Sequence, residues 1–243
     1  MPEGPSIVIA KEQISPFIGK RIIAVGGNSK TDIKRMENRD LLDVKTWGKH
    51  LLLCFDEFTF RIHFLLFGSY RINEVKNVPL RLGLVFSGGE LNFYNTSIKT
   101  LEGDINLHYD WSADVMNIKW DAAVALDKLH SISGTLICDA LLEQDIFSGV
   151  GNIIKNEILY RVHVHPESIV GKIPDKKLKE IITQARQYSF EFLEYKKANV
   201  LKKQWLAHTK RICLRCDLPL YKKYTGNKKR RSFYCLNCQY LYI

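Results

Sequence analysis

No apolar run in the 243-residue chain approaches the roughly 20 residues that cross a bilayer. No charged-then-apolar signal segment opens it, so a cytoplasmic protein with no membrane partner is expected. Internal repeats and low-complexity tracts are absent. There is no Gly-Lys-Ser/Thr to complete a nucleotide P-loop and no third glycine for a dinucleotide fingerprint. Acids are almost missing from one stretch: residues 196–243 hold thirteen Lys or Arg and one acid, Asp217. The chain carries +10 overall, so residues 1–195 hold about −2 and the basic excess sits in the C-terminal fifth. Such asymmetry suits a polyanion, nucleic acid before membrane; a solvated basic face is the other reading.

Six cysteines are present. An intracellular chain of this size does not need disulfides. Cys54 and Cys138 stand alone in apolar surroundings and read as inert core thiols. The other four form Cys213-x2-Cys216 and Cys235-x2-Cys238, separated by eighteen residues. Each pair can offer two thiolates to one ion while the intervening segment folds back as a hairpin, which predicts one structural zinc. The hairpin carries Lys228-Lys229-Arg230-Arg231 directly before Phe233-Tyr234-Cys235, a basic cluster on a metal-stapled turn. A merely solubilising turn is the alternative.

Residues 1–118 read mainly as strands and turns, with strands at 21–26, 50–55, 59–67, 82–86 and 90–94 and a short helix within 6–18. From about Asp121 the apolar period becomes helical, at 121–130, 134–142, 152–161 and 175–195. A basic linker follows at 196–210. The expected class is α+β: a β-rich N-terminal domain over 1–118, a helical domain over 119–210 and a cysteine finger over 211–243.

Two features have weak meaning alone. Ser148-Gly149-Val150-Gly151-Asn152 leads into a helix, whose unpaired N-terminal N–H groups can bind phosphate; taken alone it reads as an interhelical turn with an Asn cap. Met1-Pro2-Glu3-Gly4-Pro5 would, once Met1 is trimmed, expose a secondary amine with a pKa near ~8. Such an amine can attack an electrophilic sugar carbon, with Glu3 beside it to shuttle a proton. The alternative is a tether for the first helix.

Together these features resemble the formamidopyrimidine-DNA glycosylase and endonuclease VIII family from end to end. The matching elements are Met-Pro-Glu-Gly-Pro at the start, Trp47-Gly48-Lys49-His50-Leu51-Leu52, the run from Gln144 to Glu157, Arg161-Val-His-Val-His165-Pro166-Glu167, and Arg230-x-x-Phe233-Tyr234-Cys235-x2-Cys238-Gln239. The resemblance implies an N-terminal β-sandwich, a helix–two-turn–helix domain and a zinc finger, with damaged DNA held between the halves. It implies Pro2 as nucleophile, Glu3 as acid/base and Lys49 as a lysine that contacts phosphate and assists chemistry. It implies Asn152 and Arg230 as phosphate ligands, with Arg231 as the equivalent if the hairpin register differs. Leu65-Leu66-Phe67 resemble the family's void-filling loop, although ordinary strand core is the competing reading. Ser6 departs from the pattern, standing where many relatives carry a second acid.

The activity so implied is a bifunctional glycosylase and abasic-site lyase that excises oxidised bases through a Pro2 Schiff base, acting as a monomer with access to chromosomal DNA. It needs no redox or nucleotide cofactor. Two details favour pyrimidine lesions. The interval 195–211 is short, Lys-rich and free of glycine, where purine-directed relatives carry a long loop that closes over the base. Leu66 stands where those relatives place a methionine. The alternatives are an 8-oxoguanine and formamidopyrimidine enzyme, or a non-catalytic zinc protein that binds DNA; mere binding needs none of Pro2, Glu3 and Lys49.

Overall fold

The computed structural model describes residues 2–243. The chain folds as two compact units, one through Tyr109 and one from Asp110 to Ile243.

The first unit opens with α1 (Gly4–Ile14), followed by β1 (Ile22–Gly26), β2 (Asp43–Trp47), β3 (His50–Cys54), β4 (Phe58–Ile72), β5 (Leu80–Phe86) and β6 (Gly89–Glu102). The strands form one antiparallel sheet in the order β1-β5-β6-β4-β3-β2. Strands β4 and β6 are long because each serves two halves. Residues 58–64 pair with 96–102 beside β3, whereas 69–72 pair with 91–94 beside β5. Between the halves the register breaks after Phe64, and Asn95 takes φ +49. Alternate residues of β4 (Phe58, Phe60, Ile62, Phe64) point to one core, as the period of two requires. Leu82, Leu84, Leu91 and Phe93 of the other half share that core, with Ile7 and Ile14 of α1. One sheet broken at its middle and folded over a common core is the expected β-sandwich.

The second unit contains α2 (Ala122–Ser131), α3 (Ile137–Ala140), α4 (Asn152–Arg161), α5 (Asp175–Lys197), α6 (Leu201–Gln204) and a hairpin of β7 (Tyr221–Thr225) and β8 (Arg230–Tyr234). The Asp121 carboxylate caps α2 by accepting from the Ala123 and Val124 N–H groups. Helix α5 buries Leu178, Ile181, Ile182, Ala185, Tyr188 and Phe192, the stripe of an amphipathic helix. Helix α4 is buried along nearly its whole length, from Ile154 to Tyr160. These helices share one apolar core with Leu129, Ile137, Phe147 and Val150. Among the described residues no helix is long and apolar enough to cross a membrane.

The structure differs from the sequence reading in several places, and β4 runs on to Ile72 where a strand over 59–67 is expected. Strand β2 was not anticipated. Strand β6 continues to Glu102 rather than stopping at Tyr94, because the left-handed Asn95 bends the strand without ending it. The helix expected over 134–142 shrinks to Ile137–Ala140, flanked by turns. The stretch 196–210 is no plain linker: α5 runs to Lys197 and α6 follows.

Candidate active site and nucleic-acid interface

In the first unit, Pro2 is half-buried and Glu3 is 4% exposed. Glu3 is the N-cap of α1, in extended backbone, and its carbonyl accepts from the Ser6 N–H at 2.8 Å. A carboxylate at a helix N-terminus lies where the partial positive charge of the helix stabilises it. Met1, on whose removal the amine depends, lies outside the described residues.

Helix α1 lies against β2 and β3. Those strands are joined by a two-residue turn, Gly48-Lys49, flanked by the paired Trp47 and His50. Gly48 has φ +50, the conformation a tight hairpin asks of its first turn residue. Lys49 at this turn is only 9% exposed, an unusual state for a lysine. Its neighbour His50 was not singled out as a site residue. Burial, then the neighbouring Arg61, His63 and Lys49, push its pKa down to about 3, so it is a neutral imidazole at neutral pH. The Tyr109 hydroxyl lies 3.3 Å from His50 Nδ1, and burial raises its pKa to about 12. Neutral groups thus back the lysine turn.

Leu65, Leu66 and Phe67 are not strand core. They leave β4 at the register break, where residues 65–68 face the single Asn95. Phe67 is 83% exposed and Leu66 59%. The Asn95 side-chain amide donates to the Leu66 carbonyl and fixes the bulge. Phe67 has φ +68, a strained backbone for an aromatic residue. Three large apolar side chains held out by a strained turn are arranged for contact with something outside the chain.

In the second unit the four clustered cysteines converge, with sulfurs all within 4.8 Å of one another. A tetrahedron with zinc–sulfur bonds of about 2.3 Å has edges of about 3.8 Å; Cys213 Sγ and Cys238 Sγ are 3.7 Å apart. The Tyr160 hydroxyl lies 3.3 Å from Cys213 Sγ, and the Asn237 amide donates to Cys216 Sγ at 3.3 Å. Four converging thiols with polar outer neighbours fit a metal ion. Cys54 and Cys138 are buried elsewhere, and burial raises both thiol pKa values.

The hairpin is fastened to the helices by Asn152 and by residues the sequence did not single out. The Arg231 carbonyl receives Asn152 Nδ2 at 2.9 Å, Asn156 Nδ2 at 3.2 Å and Lys155 Nζ at 3.4 Å. Lys155 is fully buried and also donates to Ser232 Oγ at 2.8 Å. The buried Glu157 accepts from the backbone N–H groups of Leu206, Ala207 and His208, at 2.7–3.0 Å. Asp139 of α3 accepts from the Asn227 and Lys228 N–H groups at the β7–β8 turn. At that turn Gly226 has φ +68, and a Cβ there would lie 2.4 Å from the Asp139 carboxylate. Only glycine fits. Lys155, Asn156 and Glu157 stand within the matched Gln144–Glu157 run, which was the one available signal; nothing in the sequence shows that a polar triplet is buried.

The structure thus brings Asn152 and the backbone of Arg231 together. One amide hydrogen of Asn152 is committed to that carbonyl and the other remains to donate. The two arginines divide. The Arg231 guanidinium donates to the Tyr224 hydroxyl at 2.8 Å and lies over its ring. Arg230 is exposed, and no hydrogen bond of its guanidinium occurs among the described residues.

The formamidopyrimidine-DNA glycosylase H2TH domain matches residues 117–203. Endonuclease 8-like 3 of Xenopus laevis is 26% identical over 231 residues, covering 90% of this chain and 38% of that protein. Endonuclease 8-like 2 of Mus musculus is 25% identical and covers 81% of this chain and 82% of the relative. The crystal structure of Lactococcus lactis formamidopyrimidine-DNA glycosylase, non-covalently bound to DNA containing an abasic site, superposes with a TM-score of 0.87 over 98% of this chain and 99% of that one, at 19% identity. The chain spans under two-fifths of the length of the endonuclease 8-like 3 relative it matches. The helical-domain match over 117–203, the fold and the curated relatives agree: the chain is similar to the formamidopyrimidine-DNA glycosylase and endonuclease VIII family, and the curated relatives it matches are endonuclease 8-like proteins.

Proposed function

We propose that the protein is a DNA glycosylase and abasic-site lyase acting on oxidised bases, with pyrimidines preferred. The observation that carries this reading is the pairing of Pro2 with a buried Glu3 at the start of α1, in the unit where Lys49 is held in a hairpin turn. Binding alone would require none of the three.

The base must leave the duplex before an amine can reach its sugar. With Met1 removed, the Pro2 lone pair attacks C1′ while the bond to the base breaks; the base departs with that electron pair and takes up a proton. The Glu3 carboxylate takes the proton that the attacking Pro2 nitrogen releases and passes it to the ring oxygen as the sugar opens, leaving an iminium. The iminium acidifies C2′, loss of that proton expels the 3′ phosphate, and a second elimination expels the 5′ phosphate. Water then hydrolyses the iminium and returns Pro2. Lys49 serves the phosphate beside the reacting sugar. Leu65, Leu66 and Phe67 occupy the space the base vacates, as apolar wedges do between unstacked base steps. Segments 1–118, 119–210 and 211–243 then act as catalytic domain, helical DNA clamp and finger. Cys213, Cys216, Cys235 and Cys238 would hold one structural zinc, which supplies rigidity to the hairpin and takes no part in the chemistry. The protein works on damaged DNA as a monomer.

Asn152 and Arg230 are the proposed phosphate ligands, positioning the backbone without reading sequence. Arg230→Ala is expected to weaken DNA binding equally across sequences and to reduce the slope of log K against log salt by roughly 0.9, one duplex phosphate. Arg231→Ala removes a guanidinium already engaged by Tyr224 and should leave that slope unchanged. Anisotropy titrations from 50 to 200 mM salt measure both; a slope lost with Arg231 rather than Arg230 would reverse the assignment.

The pyrimidine preference draws on the interval after α5. It is filled by α6 and by three amides fastened to Glu157, so the segment where purine-directed relatives carry a closing loop is short and tied down. Strong discrimination comes from polar groups that must be satisfied, and a site without that loop has fewer to offer a purine. Thymine glycol and dihydrouracil stack poorly and cost less to flip. Single-turnover release of both is expected to exceed that of 8-oxoguanine opposite cytosine by about tenfold or more. Faster release of 8-oxoguanine would favour the purine-directed alternative.

A further inference from the structure

A cavity of about 510 Å³ lies in the first unit behind the apolar bulge of β4. Its apolar walls include Leu65, Phe67, Val78 and Tyr94. That volume is in the range of small-ligand sites, which are apolar with a few placed polar groups. The polar groups here are of a particular kind. Thr96 is 2% exposed, and its Oγ1 is buried with no hydrogen-bond partner among the described residues. A buried hydroxyl left unsatisfied is costly, and a native site that keeps one calls for a partner. Around it stand two cations held in place. Lys76 Nζ donates to Ser69 Oγ at 2.8 Å and lies 5.9 Å from the centre of the Tyr94 ring. Arg81 donates to the Thr96 carbonyl at 3.2 Å and to the Asn28 carbonyl at 2.8 Å. The Tyr94 ring is fixed in turn by its hydroxyl, which accepts from the Lys76 N–H at 3.0 Å.

We propose that this cavity takes an unpaired nucleobase of the DNA that the bulge enters, its flat face against the aromatic and aliphatic walls, one edge on Thr96 Oγ1 and its phosphate toward Lys76 or Arg81. The chemistry selects this class. A hydroxyl both donates and accepts, so it tolerates any base edge. Aromatic walls with flanking cations are the common means of holding single-stranded nucleotides without sequence choice. Leu65 and Phe67 belong at once to the exposed bulge and to the wall of the cavity, so a base displaced by the bulge has the cavity beside it. The inference rests on the DNA reading above. Two sources offer the same ligand: the base opposite the lesion in a duplex, and a base of a single strand.

The test measures affinity for four fluorescently labelled oligonucleotides: a duplex with a tetrahydrofuran abasic analogue opposite adenine, the same duplex with a second analogue replacing that adenine, and single strands with and without a base beside the analogue. The cavity predicts that the base raises affinity about tenfold in at least one of the two settings, and the setting identifies the source. Thr96→Val, which keeps the volume and removes the hydroxyl, should cut that gain to about threefold or less while leaving the base-free oligonucleotides bound as before. Asn28→Ala, an exposed change on the rim that removes the side-chain oxygen accepting from Arg81 at 3.2 Å, should reduce the gain in the same direction and guards against a folding defect in the strand variant. Tight binding with no dependence on the base, or a gain undiminished in both variants, would overturn the cavity and leave the DNA reading standing. Failure of the unaltered protein to bind any of the four would overturn the DNA reading and the cavity with it.

Discussion

Borohydride is expected to cross-link the protein to abasic DNA through Pro2, and any change that removes the free secondary amine should abolish or slow the adduct. An α-amine with a pKa near ~8 is roughly a quarter unprotonated at pH 7.5, so the nucleophile needs no strongly depressed pKa to work. Attack on C1′ gives an iminium, and borohydride reduces it to a stable tertiary amine. Three variants separate the parts. A retained N-terminal extension converts the nitrogen into an amide and should eliminate trapping entirely. Pro2→Gly keeps a primary amine but loses the ring, and should lower base excision by about 100-fold or more with a weaker adduct. Glu3→Gln removes the proton carrier while preserving the shape at the N-cap of α1. It should lower base excision by about 10²–10⁴-fold, the range general acid–base catalysis supplies, yet still trap on a preformed abasic site, whose sugar opens to the aldehyde without assistance at its ring oxygen. Peptide mapping that located the DNA on Lys49 or another lysine would refute the assignment. Trapping unaffected by the extension would do the same.

The parts legible in the sequence were those whose chemistry is local. Two Cys-x-x-Cys pairs at eighteen-residue separation announce a metal site wherever the fold puts them, and the sulfurs do converge. Helix α4 follows its glycine turn as the pattern implied, at Asn152–Arg161. Long-range facts were not legible. Lys155, Asn156 and Glu157 look in sequence like the wet face of a surface helix. They are instead fully buried, and each meets a backbone group forty-nine to seventy-seven residues away. Asp139 likewise serves a turn eighty-eight residues on. A single sequence carries no signal of that separation. The fate of Leu65-Leu66-Phe67 was ambiguous for a related reason: apolar residues in a strand are usually core, and only the broken register against Asn95 turns these outward.

Those buried tethers give metal removal its expected consequence, a loss of DNA affinity larger than the finger's own contacts would suggest. The cysteine module has almost no core of its own. Tyr160, Ala207, Cys213 and Cys235 form a small buried cluster, and Tyr160 belongs to α4. A segment so poor in apolar burial depends on its metal, and apparent binding energies of structural zinc in finger peptides, about 10–16 kcal/mol, show how strong that dependence is. Without the ion β8 has little to hold its register, and the Arg231 carbonyl leaves Asn152, Lys155 and Asn156. Lys155 then remains as a buried cation that has lost partners, a state that costs several kcal/mol and favours local opening of α4. Asn152 would lose its orientation together with Arg230, so two proposed phosphate ligands fail at once. Cys213→Ser or Cys235→Ser, or exhaustive chelation, should therefore remove one equivalent of zinc by elemental analysis. DNA affinity at 100 mM salt should fall by about 100-fold or more, and the melting temperature by several degrees. The first unit should keep its β-sheet circular dichroism, because its core is built from other residues. Lys155→Met makes the coupling visible separately: it should retain zinc yet weaken DNA binding, since it loosens the contact between α4 and β8 without touching a sulfur. Metal-free protein binding DNA at full strength would refute the structural role of the site. Full affinity in the zinc-loaded Lys155→Met variant would refute only the coupling.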